Sequence, residues 1–141
     1  MSSHNFCDNI VRMSDAQAQD KGRVLIVEDD PMLVKMYKTK FESEGYEVVT
    51  AEDGEAGLKA ALECMPRLMI LDMMMPKLSG IGVLEALRKQ PAALKIPVVV
   101  LSNLSHEDEA KSAFDLGARE YLVKANFTPG QVMERAKKYL T

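Results

Sequence analysis

No stretch of this 141-residue chain is apolar for long enough to form a bilayer-crossing helix, which takes about 20 residues. Cysteine is nearly absent as well. Cys7 and Cys64 are the only two, too few for the disulfide framework of a small secreted scaffold. The N-terminal segment, residues 1–21, lacks the apolar centre of a cleavable signal, so the expectation is a cytoplasmic protein with reduced thiols and no membrane partner. Positive charge is not in excess either: 18 Lys and Arg stand against 21 Asp and Glu, a formal net charge of -3. That balance argues against a nucleic-acid surface and leaves proteins or small anions as partners. Large apolar residues are scarce in residues 1–21, which are rich in Ser, Asn, Asp and Gln. Such a segment cannot offset its ordering entropy and is expected to be a disordered or loosely ordered leader, with Met13 a second candidate start. Residues 22–141 have the length of about one domain.

What is present is a repeated alternation. Five short apolar runs, Arg23 to Val27, Glu47 to Thr50, Leu68 to Leu71, Val98 to Leu101 and Glu120 to Val123, alternate with helical patterns, which predicts βαβ units and a parallel sheet covered by helices on both faces. The helix boundaries are well marked. Asp30-Pro31 supplies a capping carboxylate and a proline at the first helical position, and Gly45 closes that helix. Further helices are read over Asp53 to Cys64, Ser79 to Gln90 and Ser105 to Leu116, the last ended by Gly117 in a left-handed turn. Thr128-Pro129-Gly130-Gln131 has the form of a capping box opening a final helix, whose stripe Val132, Met133, Ala136, Tyr139 and Leu140 should dock on the sheet.

The strand ends carry the chemistry. Glu28-Asp29-Asp30 follows the first run, Asp72 the third, Ser102 the fourth and Lys124 the fifth. In an open parallel α/β sheet the carboxyl ends of the strands line the ligand crevice, so these residues are expected to converge. Carboxylates, a hydroxyl and an ammonium on one rim point to phosphoryl transfer assisted by a divalent metal. Three neighbouring carboxylates need a cation, because one like-charged pair at 4 Å costs about 4 kcal/mol at an effective dielectric near 20.

Four motifs taken together, Val27-Glu28-Asp29-Asp30-Pro31, Leu71-Asp72-Met73-Met74-Met75-Pro76 with Gly80, Leu101-Ser102, and Tyr121-Leu122-Val123-Lys124, resemble the response-regulator receiver domain of two-component signalling, in a stand-alone, chemotaxis-regulator-like form. The resemblance covers residues 22–141 and implies a doubly wound, flavodoxin-like α/β fold whose five parallel strands run in the order 2-1-3-4-5. It implies that Asp72 accepts a phosphoryl group from a sensor histidine kinase or a phosphotransfer protein. It further implies Mg²⁺ held by Asp29, Asp72 and the backbone carbonyl of Met74, with Glu28 acting through water. Lys124 and Ser102 would contact the phosphoryl group, and Ser102 with Tyr121 would switch the face formed by the fourth helix, fifth strand and fifth helix. A carboxylate is a recognised nucleophile toward phosphoryl groups, and an oxygen-rich site suits Mg²⁺.

The sequence also departs from the family pattern. Ala125 follows Lys124 where the family has proline, often with a cis bond, so the loop is either trans and rearranged or held cis at about 2.5–4 kcal/mol. Asn103 replaces a small residue, and Met74 and Leu104 place apolar groups near the family's attacking water, a hint of slow dephosphorylation. Simpler roles stand beside these. Asp72 alone fits a helix cap or a structural ion pair, Ser102 a turn residue, Tyr121 plain packing, and Asp30 a cap rather than a ligand. Met73, Met74 and Met75 read as packing rather than a copper site, His4 with Cys7 lacks further ligands, and His106 faces water. Glu107-Asp108-Glu109 reads as charge favourable to a helix start.

Rival functions are weaker. A haloacid-dehalogenase-type hydrolase needs Asp-x-Asp, but Met74 stands two residues after Asp72. An FMN carrier needs a hydroxyl- and glycine-rich loop where Glu28-Asp29-Asp30 stands. The alternative retained is a pseudo-receiver, a phosphorylation-independent protein-binding module. Since the sequence stops just after the fifth helix, the expectation is a single-domain signalling phosphoacceptor rather than an enzyme, a monomer or phosphorylation-dependent dimer with an unknown protein target.

Overall fold

The computed structural model describes residues 22–103 and 106–140; the expectations for residues 1–21, for Leu104 and for a helix start at Ser105 fall outside them. The five strands are β1 (Arg23–Val27), β2 (Glu47–Ala51), β3 (Leu68–Asp72), β4 (Val98–Ser102) and β5 (Glu120–Val123). They form one parallel sheet in the order β2-β1-β3-β4-β5, as the resemblance implied. Crossing between them are α1 (Pro31–Ser43), α2 (Gly54–Cys64), α3 (Gly80–Arg88) and α4 (Glu107–Asp115), and α5 (Pro129–Lys137) follows β5.

Side chains alternate between two cores. Leu25, Val27, Met69, Leu71, Val98 and Val100 pack toward α2, α3 and α4, through residues such as Ala60, Val83, Leu84 and Ala113. Val24, Ile26, Ile70, Val99 and Leu101 pack on the other face against Tyr37 and Phe41 of α1 and Val132, Met133 and Ala136 of α5. In a sheet covered on both sides, register is not set by keeping apolar residues out of water. A slip of one residue would instead draw Glu28 or Asp72 into an apolar layer, where an unpaired carboxylate costs several kcal/mol.

The caps anchor each helix start next to the strand end it follows. Asp30 accepts from Met32 N at 2.9 Å, Asp53 from Ala56 N at 2.8 Å and Ser79 from Gly82 N at 3.2 Å. Thr128 and Gln131 close the expected capping box, with bonds of 2.9 and 3.1 Å. Three strands run one residue further than their apolar content indicates, because Ala51, Asp72 and Ser102 are themselves the last residues of β2, β3 and β4. The ladder takes in a polar residue when its backbone finds a partner: Asp72 lies beside Leu101, and Ser102 beside Val123. Cys64 lies buried at the end of α2.

Candidate functional site

Register alone gathers the polar strand ends. Val27 lies beside Leu71, Asp72 beside Leu101 and Ser102 beside Val123, so Glu28, Asp72, Ser102 and Lys124 occupy one rim. Glu28 and Asp72 are 1 and 2 % exposed, unusual values for carboxylates, while Asp29 faces solvent. One carboxylate oxygen from each of Glu28, Asp29 and Asp72 lies within 4.8 Å of the others. Lys124 answers this negative charge. Its Nζ is 2.8 Å from Glu28 Oε1 and 3.3 Å from Asp72 Oδ1, so it reaches both buried carboxylates and sits closer to Glu28 than to the expected partner. The Glu28 approach has the length of a close ion pair but not the angles of a hydrogen bond.

The electrostatics follow from burial. Desolvation pushes the Glu28 carboxyl up to about 7, with Asp72 adding to the rise and Lys124 and the Asp30 amide opposing it. Burial works against the Lys124 charge, yet Glu28 and Asp72 outweigh it and hold the ammonium above its ordinary value. Tyr37 is pushed up to about 12 by burial and by the negative field of Glu28, Asp72 and Asp30. Backbone amides support the carboxylates: Asp30 N donates to Glu28 Oε2 at 3.1 Å and Met74 N to Asp72 Oδ1 at 3.3 Å. Asp30 itself is spent on capping α1, as read from Pro31.

The loop after Lys124 is trans. The described residues contain no cis peptide, and Lys124–Asn126 form a short 3-10 turn in place of the family's proline. After Asp72 the chain turns back through Lys77, at φ 71, to bring Gly80 against Met73. Gly80 N donates to Met73 O at 3.0 Å, and a Cβ at Gly80 would lie 2.6 Å from Met73 Sδ and 2.8 Å from Met73 Cα. That close approach requires glycine. Met73 is buried and Met74 exposed, and His106 is exposed as expected.

Ser102 is brought to the rim, 2 % exposed, but its hydroxyl donates to Glu109 Oε1 at 3.3 Å. Tyr121, half-buried, donates its hydroxyl to the same oxygen. Glu109 is thus a site residue that sequence reasoning missed, having read it only as charge at the start of α4. It is one of three consecutive acids in the first turn, and nothing in their order marks which one turns inward.

The donor set fits a hard divalent cation. Three carboxylates and one ammonium leave excess negative charge at a rim with one face open through Asp29, and oxygen ligands with room for water are what Mg²⁺ prefers.

Comparison with known proteins places this arrangement. The family model of the response regulator receiver domain matches residues 24–137. The alkaline phosphatase synthesis transcriptional regulatory protein PhoP of Bacillus subtilis is 38% identical over 118 residues, covering 84% of this chain and 48% of PhoP. The DNA-binding dual master transcriptional regulator RpaA of Synechocystis is 35% identical over 118 residues, 84% of this chain and 48% of RpaA. The chain therefore spans about half the length of the curated relatives it matches. Among solved structures, the receiver domain of a Francisella response regulator superposes with a TM-score of 0.76 at 31% identity, covering 84% of this chain and 96% of that one. The chemotaxis response regulator CheY4 of Vibrio cholerae gives 0.77 at 28%, covering 84% and 98%. With a family model matched over residues 24–137 and relatives more than 30% identical across most of its length, the chain belongs to the response regulator receiver domain family of two-component signalling.

Proposed function

We propose that residues 22–141 form a receiver unit that takes a phosphoryl group on Asp72 from a sensor histidine kinase or a phosphotransfer protein, with residues 1–21 as a leader. The observation that carries this reading is the meeting of Glu28, Asp29 and Asp72 within 4.8 Å, with Lys124 on Asp72. An Asp72 carboxylate oxygen forms the new O–P bond while the P–N bond to the donor's imidazole breaks, its electron pair leaving with the nitrogen. Lys124 Nζ, already beside Asp72, moves onto a phosphoryl oxygen, and the Ser102 hydroxyl turns to donate to another. Asp29, Asp72 and the Met74 carbonyl are the assigned holders of Mg²⁺, with Glu28 acting through water. When bound, the ion supplies charge neutralisation for the phosphoryl group.

The signal is a population shift. Moving an equilibrium from 1:99 to 99:1 takes about 5.5 kcal/mol, and two or three charge-assisted hydrogen bonds at roughly 1.5–3 kcal/mol each supply it. Ser102 and Tyr121 carry the shift to the face formed by α4, β5 and α5, whose target is a protein. The role of this unit is that of a signalling phosphoacceptor; DNA binding is not assigned to it, and the transcriptional regulators among its relatives are about twice its length.

The test is intact mass after incubation with Mg²⁺ and acetyl phosphate. One phosphoryl adduct is expected on the native chain and none on Asp72→Asn. No adduct on the native chain would leave the pseudo-receiver, and rapid turnover without an adduct would leave a hydrolase.

A further inference from the structure

Glu109 Oε1 is the meeting point of the two hydroxyls assigned above to the switch. Ser102 donates to it at 3.3 Å and Tyr121 donates to it from β5. Each hydroxyl carries a single proton, so a proton given to Glu109 is withheld from any other acceptor. Ser102 is 2 % exposed, so water does not compete freely for that proton and the choice lies between acceptors the protein supplies. Burial together with Glu109 holds the Tyr121 phenol above its ordinary pKa, with Ser102 opposing the rise. Helix α4 is otherwise lightly held: Ala113 is its one fully buried residue, and its first turn has no side-chain cap from His106. The three-group contact is therefore a main tie between the start of α4, the end of β4 and the middle of β5.

We propose that Glu109 is a latch, a positioning residue whose carboxylate competes with the phosphoryl group on Asp72 for the Ser102 proton and pins Tyr121, so that it sets how much of the unphosphorylated protein occupies the signalling state. The proposal rests on the reading of Asp72 as acceptor and Ser102 as switch. It adds a gate on that switch, made by an acid seven residues after the serine. Activation then exchanges one charged acceptor for another, so the two states lie closer in energy than if the Ser102 hydroxyl bonded only to water.

The test measures beryllofluoride affinity with Mg²⁺ in the native protein, Glu109→Ala, Glu109→Gln, Ser102→Ala and the Glu109→Ala/Ser102→Ala double variant. Losing one charge-assisted acceptor should tighten beryllofluoride binding roughly tenfold in Glu109→Ala. Glu109→Gln keeps the side-chain volume and a neutral acceptor and should fall between. In the Ser102→Ala background the gain from removing Glu109 should fall well below tenfold, because only its hold on Tyr121 is then left to lose. Unchanged or weaker binding in both Glu109 variants, or an equal gain without Ser102, would overturn the latch. The ring signals of Tyr121 in the ligand-free protein give an independent readout: Glu109→Gln should move them toward their beryllofluoride-bound positions, and no movement counts against the latch. A native protein that takes no adduct dependent on Asp72 sinks the acceptor reading instead, which normal adduct formation with inert Glu109 variants would leave standing.

Discussion

Lys124 decides whether two buried carboxylates are tolerable. Its ammonium lies 2.8 Å from Glu28 and 3.3 Å from Asp72, both at most 2 % exposed, and the described residues place no other cation in ion-pair contact with them. Lys124→Met leaves like charges unopposed, and breaking a buried pair this way costs about 3–5 kcal/mol, with the lower end expected because Asp29 opens the rim to water. Denaturant midpoints in metal-free buffer check this. Adding Glu28→Gln should recover most of the loss, since the removed charge is the one whose burial is most costly; a double variant no better than Lys124→Met would show that the lysine acts by packing rather than charge. This much of the site was legible, because Glu28, Asp72 and Lys124 are fixed by register once the strands are placed. The nearer partner of Lys124 was not, and neither was Glu109. Both depend on where a long side chain settles among several acceptors, which neither strand period nor helix period encodes.

At the level of elements, short signals decided the outcome. Asp30-Pro31 and Thr128-Pro129-Gly130-Gln131 marked helix starts because cap chemistry is local, a side chain bonding an amide two or three residues on. Strand ends were harder to place, since Asp72 and Ser102 join their strands through neighbours 29 and 21 residues away in sequence, Leu101 and Val123. Gly117 behaves as its position after α4 indicated, at φ +102 with nothing within 4 Å of the point a Cβ would occupy. Gly117→Ala therefore meets no clash, and its whole cost is backbone strain of about 1–2 kcal/mol, read as a lowered midpoint with an unchanged unfolding slope. The clasp between β5 and α5 is set by charge. Glu120 accepts from Tyr139 at 2.6 Å and pairs with Lys138 and Arg135, each at 2.9 Å. Burial raises the Glu120 carboxyl, but Tyr139, Lys138 and Arg135 outweigh it and bring it down to about 2, from 4.5 in an unperturbed chain. A depressed folded-state value means the contribution is complete above about pH 4.5 and is lost as pH falls toward about 2. Glu120→Gln should destabilise the protein at pH 7 and converge with the native chain near pH 2; a constant difference across that range would assign the clasp to packing.

For the molecule as a whole, the alternation of apolar runs and helical patterns carried the α/β class, while the order β2-β1-β3-β4-β5 came from resemblance, because strand order is set by contacts between segments distant in sequence and not by any local pattern. That order has an energetic consequence. It places β3 between β1 and β4 and so forces Glu28 and Asp72 together at the centre of the rim, which makes the fold carry electrostatic strain that a cation relieves. Folding and ion binding are then linked: a ligand that binds only the folded chain stabilises it by RT ln(1 + [L]/Kd), about 2.7 kcal/mol at a hundredfold excess over Kd. For a domain of this size that corresponds to a rise in Tm on the order of 10 °C with Mg²⁺. Sodium chloride at matched ionic strength separates binding from screening, since screening acts weakly on buried pairs and should give a far smaller rise. Asp29→Ala should lose most of the Mg²⁺ increment while its metal-free Tm stays the same or increases, because one of the three repelling charges is gone. Equal increments in the native and Asp29→Ala proteins would mean that the ion acts elsewhere and that the acidic rim is not its site.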